Sequence, residues 1–114
     1  MSRINLGVVG AGWVGGIRAN VCAASPLVEE LHIAEINADR AAEIAAETGA
    51  ARVTEDWREL VDSPQVDALV IASTPESQRF PIVRAALKAG KHVLVEKPVA
   101  PTPEEADEAI TLCE

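Results

Sequence analysis

In Arg3–Gly15, RINLGVVGAGWVG, an apolar run leads directly into glycines with the spacing Gly-x-Gly-x-x-Gly. The run Arg3–Val9 predicts a buried strand. After the glycines, apolar residues recur at helical spacing at Val14, Ile17 and Val21. A glycine turn that joins a strand to a helix is the context in which this spacing binds the pyrophosphate of a dinucleotide.

The three glycines of the turn have separate physical tasks in such a site. Gly10 permits the tight turn, Gly12 lets the backbone approach a pyrophosphate without a clash from Cβ, and Gly15 lets the helix pack against the strand. The helix N-terminus then offers free N–H groups and the positive end of its dipole to the phosphates. Trp13 and Val14 fill variable positions of the turn and are assigned to the same site, where Trp13 either packs over the ligand or covers the sheet edge.

An acidic residue follows at the end of the second predicted strand, Leu31–Ile36. Glu35 lies 20 residues beyond Gly15, where a carboxylate can accept hydrogen bonds from an adenosine ribose and repel a 2′-phosphate. The alternative is a surface acid at a strand end. Because Ile36 is apolar, we expect NAD as the cofactor in preference to NADP, although Arg40 is near enough to turn towards a phosphate.

Apolar runs and helical repeats continue to alternate, in the order βαβαβαβαβ. Continuous apolar strands are typical of a parallel sheet with helices on both faces, so we expect one doubly wound, Rossmann-like α/β domain over residues 1–114. The further predicted strands are 51–53, 66–72 and 92–95. The predicted helix caps are Asn37, Thr54 and Thr102 at N-termini and Gly49 and Gly90 at C-termini.

The last predicted helix presents an apolar face formed by Ala106, Ala109, Ile110 and Cys113. The brief helix before residue 63 is expected to turn Trp57, Leu60 and Val61 inward. Since the chain stops inside the last helix, we expect a domain truncated before its final strand and before a second, substrate-binding domain.

Composition excludes several classes of function. The 114 residues carry 18 acidic and 10 basic side chains, for a net charge of -8, so nucleic-acid and membrane-surface roles are not expected. Two cysteines, Cys22 and Cys113, and two histidines, His32 and His92, lie too far apart in sequence to predict a disulfide framework or a metal site. The N-terminus lacks the features of a signal peptide, so we expect a cytoplasmic protein.

Three segments together go beyond a generic dinucleotide fingerprint: Gly10–Gly15, Ser73-Thr74-Pro75 after the fourth strand, and GKHVLVEKP at 90–98. On these segments the chain resembles the N-terminal domain of the Gfo/Idh/MocA oxidoreductases. The Glu96-Lys97-Pro98 tripeptide is the most specific element. The resemblance implies hydride transfer between a nicotinamide cofactor and a hydroxyl carbon of a sugar, cyclitol or related polyol.

The resemblance also assigns roles to residues. It makes Lys97 the catalytic residue, contacting the nicotinamide ribose and the reacting hydroxyl, while Glu96 orients the cofactor or Lys97 and Pro98 fixes the turn. By the same resemblance, Ser73, Thr74 and Pro75 line the cofactor site. Without it, Lys97 reads as a solvated loop lysine, and Thr-Pro as an ordinary turn.

The chain departs from the family pattern at three positions. Family members often carry Thr-Pro-Asn-x-x-His, where this chain has Glu76 and Arg79, and a histidine three residues after the third glycine, where it has Arg18. By resemblance, the full protein is expected to be a homo-oligomer with a second domain that supplies acid/base and substrate residues. One alternative is a stand-alone, non-catalytic dinucleotide-binding or sensor module. A second is a SAM-dependent methyltransferase, although the glycine spacing fits that class less well. A flavin-binding fingerprint would leave the Glu96-Lys97-Pro98 tripeptide unexplained.

Overall fold

The computed structural model describes residues 3–73, 75–97 and 100–114, apart from the side chain of Glu76. A five-stranded sheet forms its centre, with all neighbouring strands parallel and in the order β3-β2-β1-β4-β5. This arrangement confirms the predicted doubly wound, Rossmann-like sheet. The strands are β1 (Ile4–Val9), β2 (Val28–Ala34), β3 (Arg52–Thr54), β4 (Ala68–Ile71) and β5 (His92–Val95).

Helices cover both faces of this sheet. They are α1 (Trp13–Ala24), α2 (Ala38–Thr48), α3 (Trp57–Asp62), α4 (Arg79–Lys88) and α5 (Pro103–Cys113), with a short 3₁₀ turn at Glu76–Gln78 before α4. Alternate strand residues point to opposite faces, so that Val8 belongs to the core beneath α1 and α2, and Val9 to the core beneath α3, α4 and α5.

The order in which strands are added to the sheet changes direction at β1, whose two neighbours are β2 and β4. From β1 the chain moves outward through β2 to β3, and it then returns to the other side of β1 to form β4 and β5. The loops after β1 and β4 therefore separate to opposite faces and leave a crevice at the carboxyl ends of these two strands. The glycine turn and Ser73 lie at this point.

Most predicted caps are present. The Asn37 side chain accepts a hydrogen bond from Arg40 N, that of Thr102 accepts one from Glu105 N, and Gly49 takes a left-handed φ of 69° after α2. The predicted cap at Thr54 is wrong, because Asp56 caps α3 by accepting from Arg58 N at 3.0 Å. Thr54 instead ends β3, and the strand ladder places it two residues before the N-cap position of the helix.

Two predicted apolar faces differ from those in the structure. In α1 the buried positions are Gly15, Gly16 and Ala19, while Val14, Ile17 and Val21 are 42%, 51% and 65% exposed. Small residues face the sheet because α1 packs too close to it for larger side chains. In α5, Ala109 is buried, but Ile110 and Cys113 are exposed. An ion pair between Arg84 of α4 and Glu108, with Nε to Oε2 at 2.5 Å, fixes the rotation of α5 so that its alanines face inward.

Lys91, from the GKHV segment, joins three parts of the fold. Its Nζ donates to the carbonyl oxygens of Ser63 and Val66, both at 2.6 Å, and so ties the end of α3 to the start of β5. Across the described ranges, no helix is long and apolar enough to span a bilayer. Nor do three or more His, Cys, Asp or Glu side chains gather there in a way that could hold a metal ion.

Candidate functional site

The glycine turn is held by contacts that require glycine at two positions. Gly10 has a φ of +86°, and a Cβ added there would lie 2.5 Å from Ser73 Cα. A Cβ on Gly15 would overlap the carbonyl oxygen of Gly10. The close approach of α1 to β1 predicted at Gly15 is therefore present, and the turn is packed directly against the loop that follows β4.

Gly12 has the opposite environment. Apart from its chain neighbours and its own helix, no heavy atom of the described residues lies within 4 Å of the place where its Cβ would be, and Gly12 is the N-cap residue of α1. Within the described residues, no side chain caps α1 and its first turn carries no acid. The peptide N–H groups and the positive end of the helix dipole thus face open space, which fits a phosphate placed against the backbone.

Glu35 lies just beyond β2, which ends at Ala34 and not at Ile36 as predicted. Its Oε1 accepts from Ala11 N at 2.7 Å, and its Oε2 accepts from Asn37 N at 2.9 Å. These two bonds hold the carboxylate between the glycine turn and the start of α2. Because each carboxylate oxygen has further acceptor capacity, the group remains able to bind hydroxyls.

Arg40 binds the carbonyl of the same residue, Ala11, which belongs to the next peptide unit. Its Nε donates to Ala11 O at 2.6 Å, and its Nη1 lies 3.5 Å from Glu47 Oε2. A Cβ on Gly16 would overlap Arg40 Nη2, so the guanidinium lies flat against α1. The N–H and the carbonyl of Ala11 are therefore both bound by side chains, Glu35 on one and Arg40 on the other.

A cleft of about 780 Å³ opens at this edge of the sheet. Eight of the predicted site residues line it, and Ile36 and Trp13 are its most exposed apolar members, at 80% and 86%. The structure thus brings the glycine turn, the acid after β2 and the loop after β4 into one space. The eight are Gly10, Gly12, Trp13, Val14, Gly15, Glu35, Ile36 and Ser73.

The segment after β4 lies along the cleft at Ser73, as far as the described residues show. Ser73 lines the cleft, and its Oγ is buried with no hydrogen-bond partner among the described residues. Pro75 is not among the described cleft residues; its carbonyl accepts from Gln78 N at 3.0 Å in the turn before α4. Thr74 falls outside the described residues, as does the side chain of Glu76, so the prediction at Thr74 stays a prediction.

Glu96 and Lys97 follow β5 beside the cleft and are not among its described lining residues. Glu96 N donates to Ile71 O at 3.0 Å, which places this segment next to the end of β4. Glu96 Oε1 accepts from Arg18 Nε at 2.7 Å. That hydrogen bond and the charge of Glu96 raise the pKa of the Arg18 guanidinium above its usual value. Lys97 is exposed, and Pro98 lies outside the described residues.

Several residues that line the cleft were not assigned to the site from sequence. They lie after β2, after β3 or around the start of α4, where parallel strands bring their loops to one edge. Assigning the first three residues after each strand to the site would have found Asn37 and Glu55, but nothing local indicates the contribution of α4. The residues not assigned include Asn37, Glu55, Trp57, Arg58, Ser77, Gln78, Arg79, Pro81 and Ile82.

Comparison with known proteins agrees with this geometry. Residues 4–114 match the family model described as "Oxidoreductase family, NAD-binding Rossmann fold", that of the Gfo/Idh/MocA proteins. The chain is 37% identical over 115 residues to levoglucosan dehydrogenase of Pseudarthrobacter phenanthrenivorans, which covers 93% of this chain and 29% of that protein. It is 38% identical over 109 residues to inositol 2-dehydrogenase of Rubrobacter xylanophilus, covering 95% and 31%. The chain thus spans 29% to 31% of the length of these two relatives.

Solved structures show the same likeness. Levoglucosan dehydrogenase in complex with NADH and levoglucosan superposes with a TM-score of 0.87 at 34% identity, over 98% of this chain and 32% of that one. A 3-ketoreductase of Actinomadura kijaniata in complex with NADP gives 0.86 at 30% identity, over 98% and 36%. The sequence match over residues 4–114 and these superpositions show that the chain belongs to the Gfo/Idh/MocA oxidoreductase family and has its NAD-binding Rossmann fold.

Proposed function

We propose that this domain binds NAD, and that the full-length gene product uses it to oxidise a hydroxyl carbon of a sugar, cyclitol or related polyol. The observation that carries the proposal is the open space at Gly12, where the N-terminus of α1, which no described side chain caps, faces the crevice between β1 and β4. A dinucleotide pyrophosphate has the charge and the shape for this position. Ser73 lines the same cleft, and its Oγ has no hydrogen-bond partner within the part of the chain that the structure describes, so it adds a polar group to the site.

The preference for NAD rests on Glu35. Its carboxylate is fixed at the end of β2 by two backbone N–H groups, and the negative charge favours ribose hydroxyls over a 2′-phosphate. Arg40, the nearest cation on α2, is bound to Ala11 O and pairs with Glu47. The two solved relatives are complexes with NADH and with NADP, so membership of the family does not by itself decide between the two cofactors.

The proposed reaction uses Lys97. A bound nicotinamide would supply the acceptor for the hydride that leaves the substrate carbon. The Lys97 ammonium would donate a hydrogen bond to the reacting oxygen and stabilise negative charge on it as its proton leaves. Since this chain spans only 29% to 31% of the length of its two relatives, we propose that the group that takes this proton lies in a second domain, as the family resemblance implies. The substrate class follows the names of relatives that act on levoglucosan and inositol, a sugar derivative and a cyclitol.

Calorimetric titration of the chain with NADH, NADPH and S-adenosylmethionine tests the proposal. We expect NADH to bind more tightly than NADPH, and S-adenosylmethionine not to bind. Tryptophan emission is followed in parallel, with Trp13→Phe as the control that separates the signal of Trp13 from that of Trp57. Tighter binding of S-adenosylmethionine, or failure of both the chain and the full-length product to bind either nicotinamide cofactor, would refute the assignment. Turnover of the full-length product with a panel of sugars and cyclitols then tests the reaction.

A further inference from the structure

The segment that carries Lys97 is held by two arginines that come from opposite faces of the sheet. Arg79 begins α4, whose buried side chains belong to the core shared with α3 and α5. Arg18 lies on α1, whose Ala19 belongs to the other core. Both side chains end at the two residues that follow β5. Helices that are not in contact through their cores therefore converge on Glu96 and Lys97.

Arg79 is bound to backbone carbonyls alone among its described hydrogen-bond partners. Its Nε donates to Ser73 O at 2.7 Å, and its Nη1 donates to Glu96 O at 3.2 Å and to Lys97 O at 2.9 Å. The residue is 6% exposed, and within the described residues it takes part in no ion pair. Burial of a guanidinium without a counter-charge is unfavourable, and its three hydrogen bonds to carbonyl oxygens offset the lost hydration. They join the loop after β4 to the segment after β5.

Arg18 fixes the side chain of the same segment. Its Nε donates to Glu96 Oε1 at 2.7 Å, and the Glu96 side chain is 19% exposed against 48% for Arg18. A charge-assisted bond of this length holds the carboxylate in one direction. Arg79 therefore fixes the main chain at Glu96 and Lys97, and Arg18 fixes the Glu96 side chain.

We propose that Arg18 and Arg79 are positioning residues, which hold the Glu96–Lys97 segment against the end of β4 so that Lys97 is presented in a constant place beside the cleft. The proposal rests on the catalytic role proposed for Lys97. It assigns no contact with substrate or cofactor to either arginine. Loss of Arg18 is expected to lower the rate of the chemical step more than it weakens cofactor binding, because Arg18 is not among the described residues that line the cleft, and the glycine turn and Glu35 stay in place. Arg79 lines the cleft itself, so its variant serves only to measure how firmly the segment is held.

The first measurement is independent of catalysis. Amide hydrogen exchange of the chain is recorded by NMR for the wild type and for the variants Arg18→Gln and Arg79→Met. The matched control is Arg84→Gln, because Arg84 is also an arginine of α4 but pairs with Glu108, away from the segment. We expect the amide of Glu96, which donates to Ile71 O, to exchange at least about tenfold faster in both test variants and unchanged in the control. Arg18 is largely solvent-exposed, so Arg18→Gln keeps the test valid if Arg79→Met fails to fold. Unchanged exchange in Arg18→Gln would overturn the proposal.

The second measurement is steady-state kinetics of the full-length product. We expect kcat to fall by at least about tenfold in Arg18→Gln with the NADH Kd changed by less than about threefold, partial rescue of kcat by Arg18→Lys, and no loss in Arg84→Gln. Faster exchange at Glu96 with an unchanged kcat would overturn the positioning role. The variant Lys97→Ala separates the two proposals. Turnover retained in Lys97→Ala would refute the function proposed for Lys97, and the positioning role with it. Turnover lost in Lys97→Ala, together with an unchanged kcat in Arg18→Gln, would refute the positioning role alone.

Discussion

Replacement of Glu35 by glutamine tests the cofactor assignment with little change of shape. The glutamine oxygen can still accept one of the two backbone N–H groups, from Ala11 or from Asn37, while its NH₂ faces the other donor. Because the Asn37 bond is exposed, water can replace it, and we expect a stability loss at the low end of about 1–3 kcal/mol. The fold should therefore survive, which makes the effect on ligand affinity interpretable.

The expected effect on affinity differs between the two cofactors. A hydrogen bond to a charged group contributes about 1.5–3 kcal/mol, so loss of one ribose contact weakens NADH by about 10- to 150-fold. For NADPH the same change removes a repulsion, which for unit charges about 4 Å apart ranges from about 1 kcal/mol in water to about 4 kcal/mol near a protein surface. We therefore expect NADPH affinity to stay level or rise, and the NADH preference to fall by at least about tenfold.

Calorimetry of the chain with both cofactors measures these affinities. Glu43→Gln is the matched control, since Glu43 is exposed on α2 and is not among the described residues that line the cleft. It removes the same charge and should leave both Kd values within about twofold of wild type. Equal weakening of NADH and NADPH by Glu35→Gln would show that Glu35 supports the turn without reading the ribose, and would refute the assignment.

Three further predictions concern other parts of the molecule. In Gly15→Ala the new Cβ meets backbone, so we expect the free energy of unfolding from thermal melts to fall by at least about 1–3 kcal/mol. Gly12→Ala should weaken NADH binding with a smaller loss of stability. Equal melting temperatures for the two variants would contradict the packing at Gly15. A hydrogen bond from Arg84 lowers the pKa of Glu108, so the pair stabilises the fold above the unfolded pKa of about 4.3 and this stability is lost as the pH falls through the lower folded value. Melts between about pH 7 and about pH 3 should therefore fall less steeply for Glu108→Gln than for wild type, and parallel curves would count against the pair. Lys97→Ala in the full-length product should abolish turnover while it spares most of the NADH affinity, and isothermal titration beside a rate assay checks both halves.

The sheet and the glycine turn could be predicted because their signals are local. Strand runs, glycine spacing and the acid at Glu35 each depend on residues close together in sequence, and the structure places them as a doubly wound sheet requires. Caps at Asn37 and Thr102 followed from the same short-range chemistry.

The errors have a common physical origin in contacts between distant segments. The apolar spacing of α1 marked a helix but not its buried side, because the close approach at Gly15 brings glycines to the sheet and turns Ile17 outward. The rotation of α5 depends on Glu108 meeting Arg84, 24 residues away in sequence. Arg18 and Arg79 appeared only as departures from a family pattern, and their shared contact with the segment after β5 required the folded chain.

Glu35 binds the N–H of Ala11 and Arg40 binds its carbonyl, and this pair of contacts has a consequence for engineering. Glu35 and Arg40 are the two side chains that a designer would exchange to convert the cofactor preference, and they are also the braces that shape the phosphate-binding turn. A substitution that changes the charge at these sites would also release the preorganised turn. Binding of the new cofactor would then have to order the turn again, which lowers its affinity. Conversion of this domain to NADP should therefore begin at Ile36, whose side chain is 80% exposed and carries no such duty in the described structure.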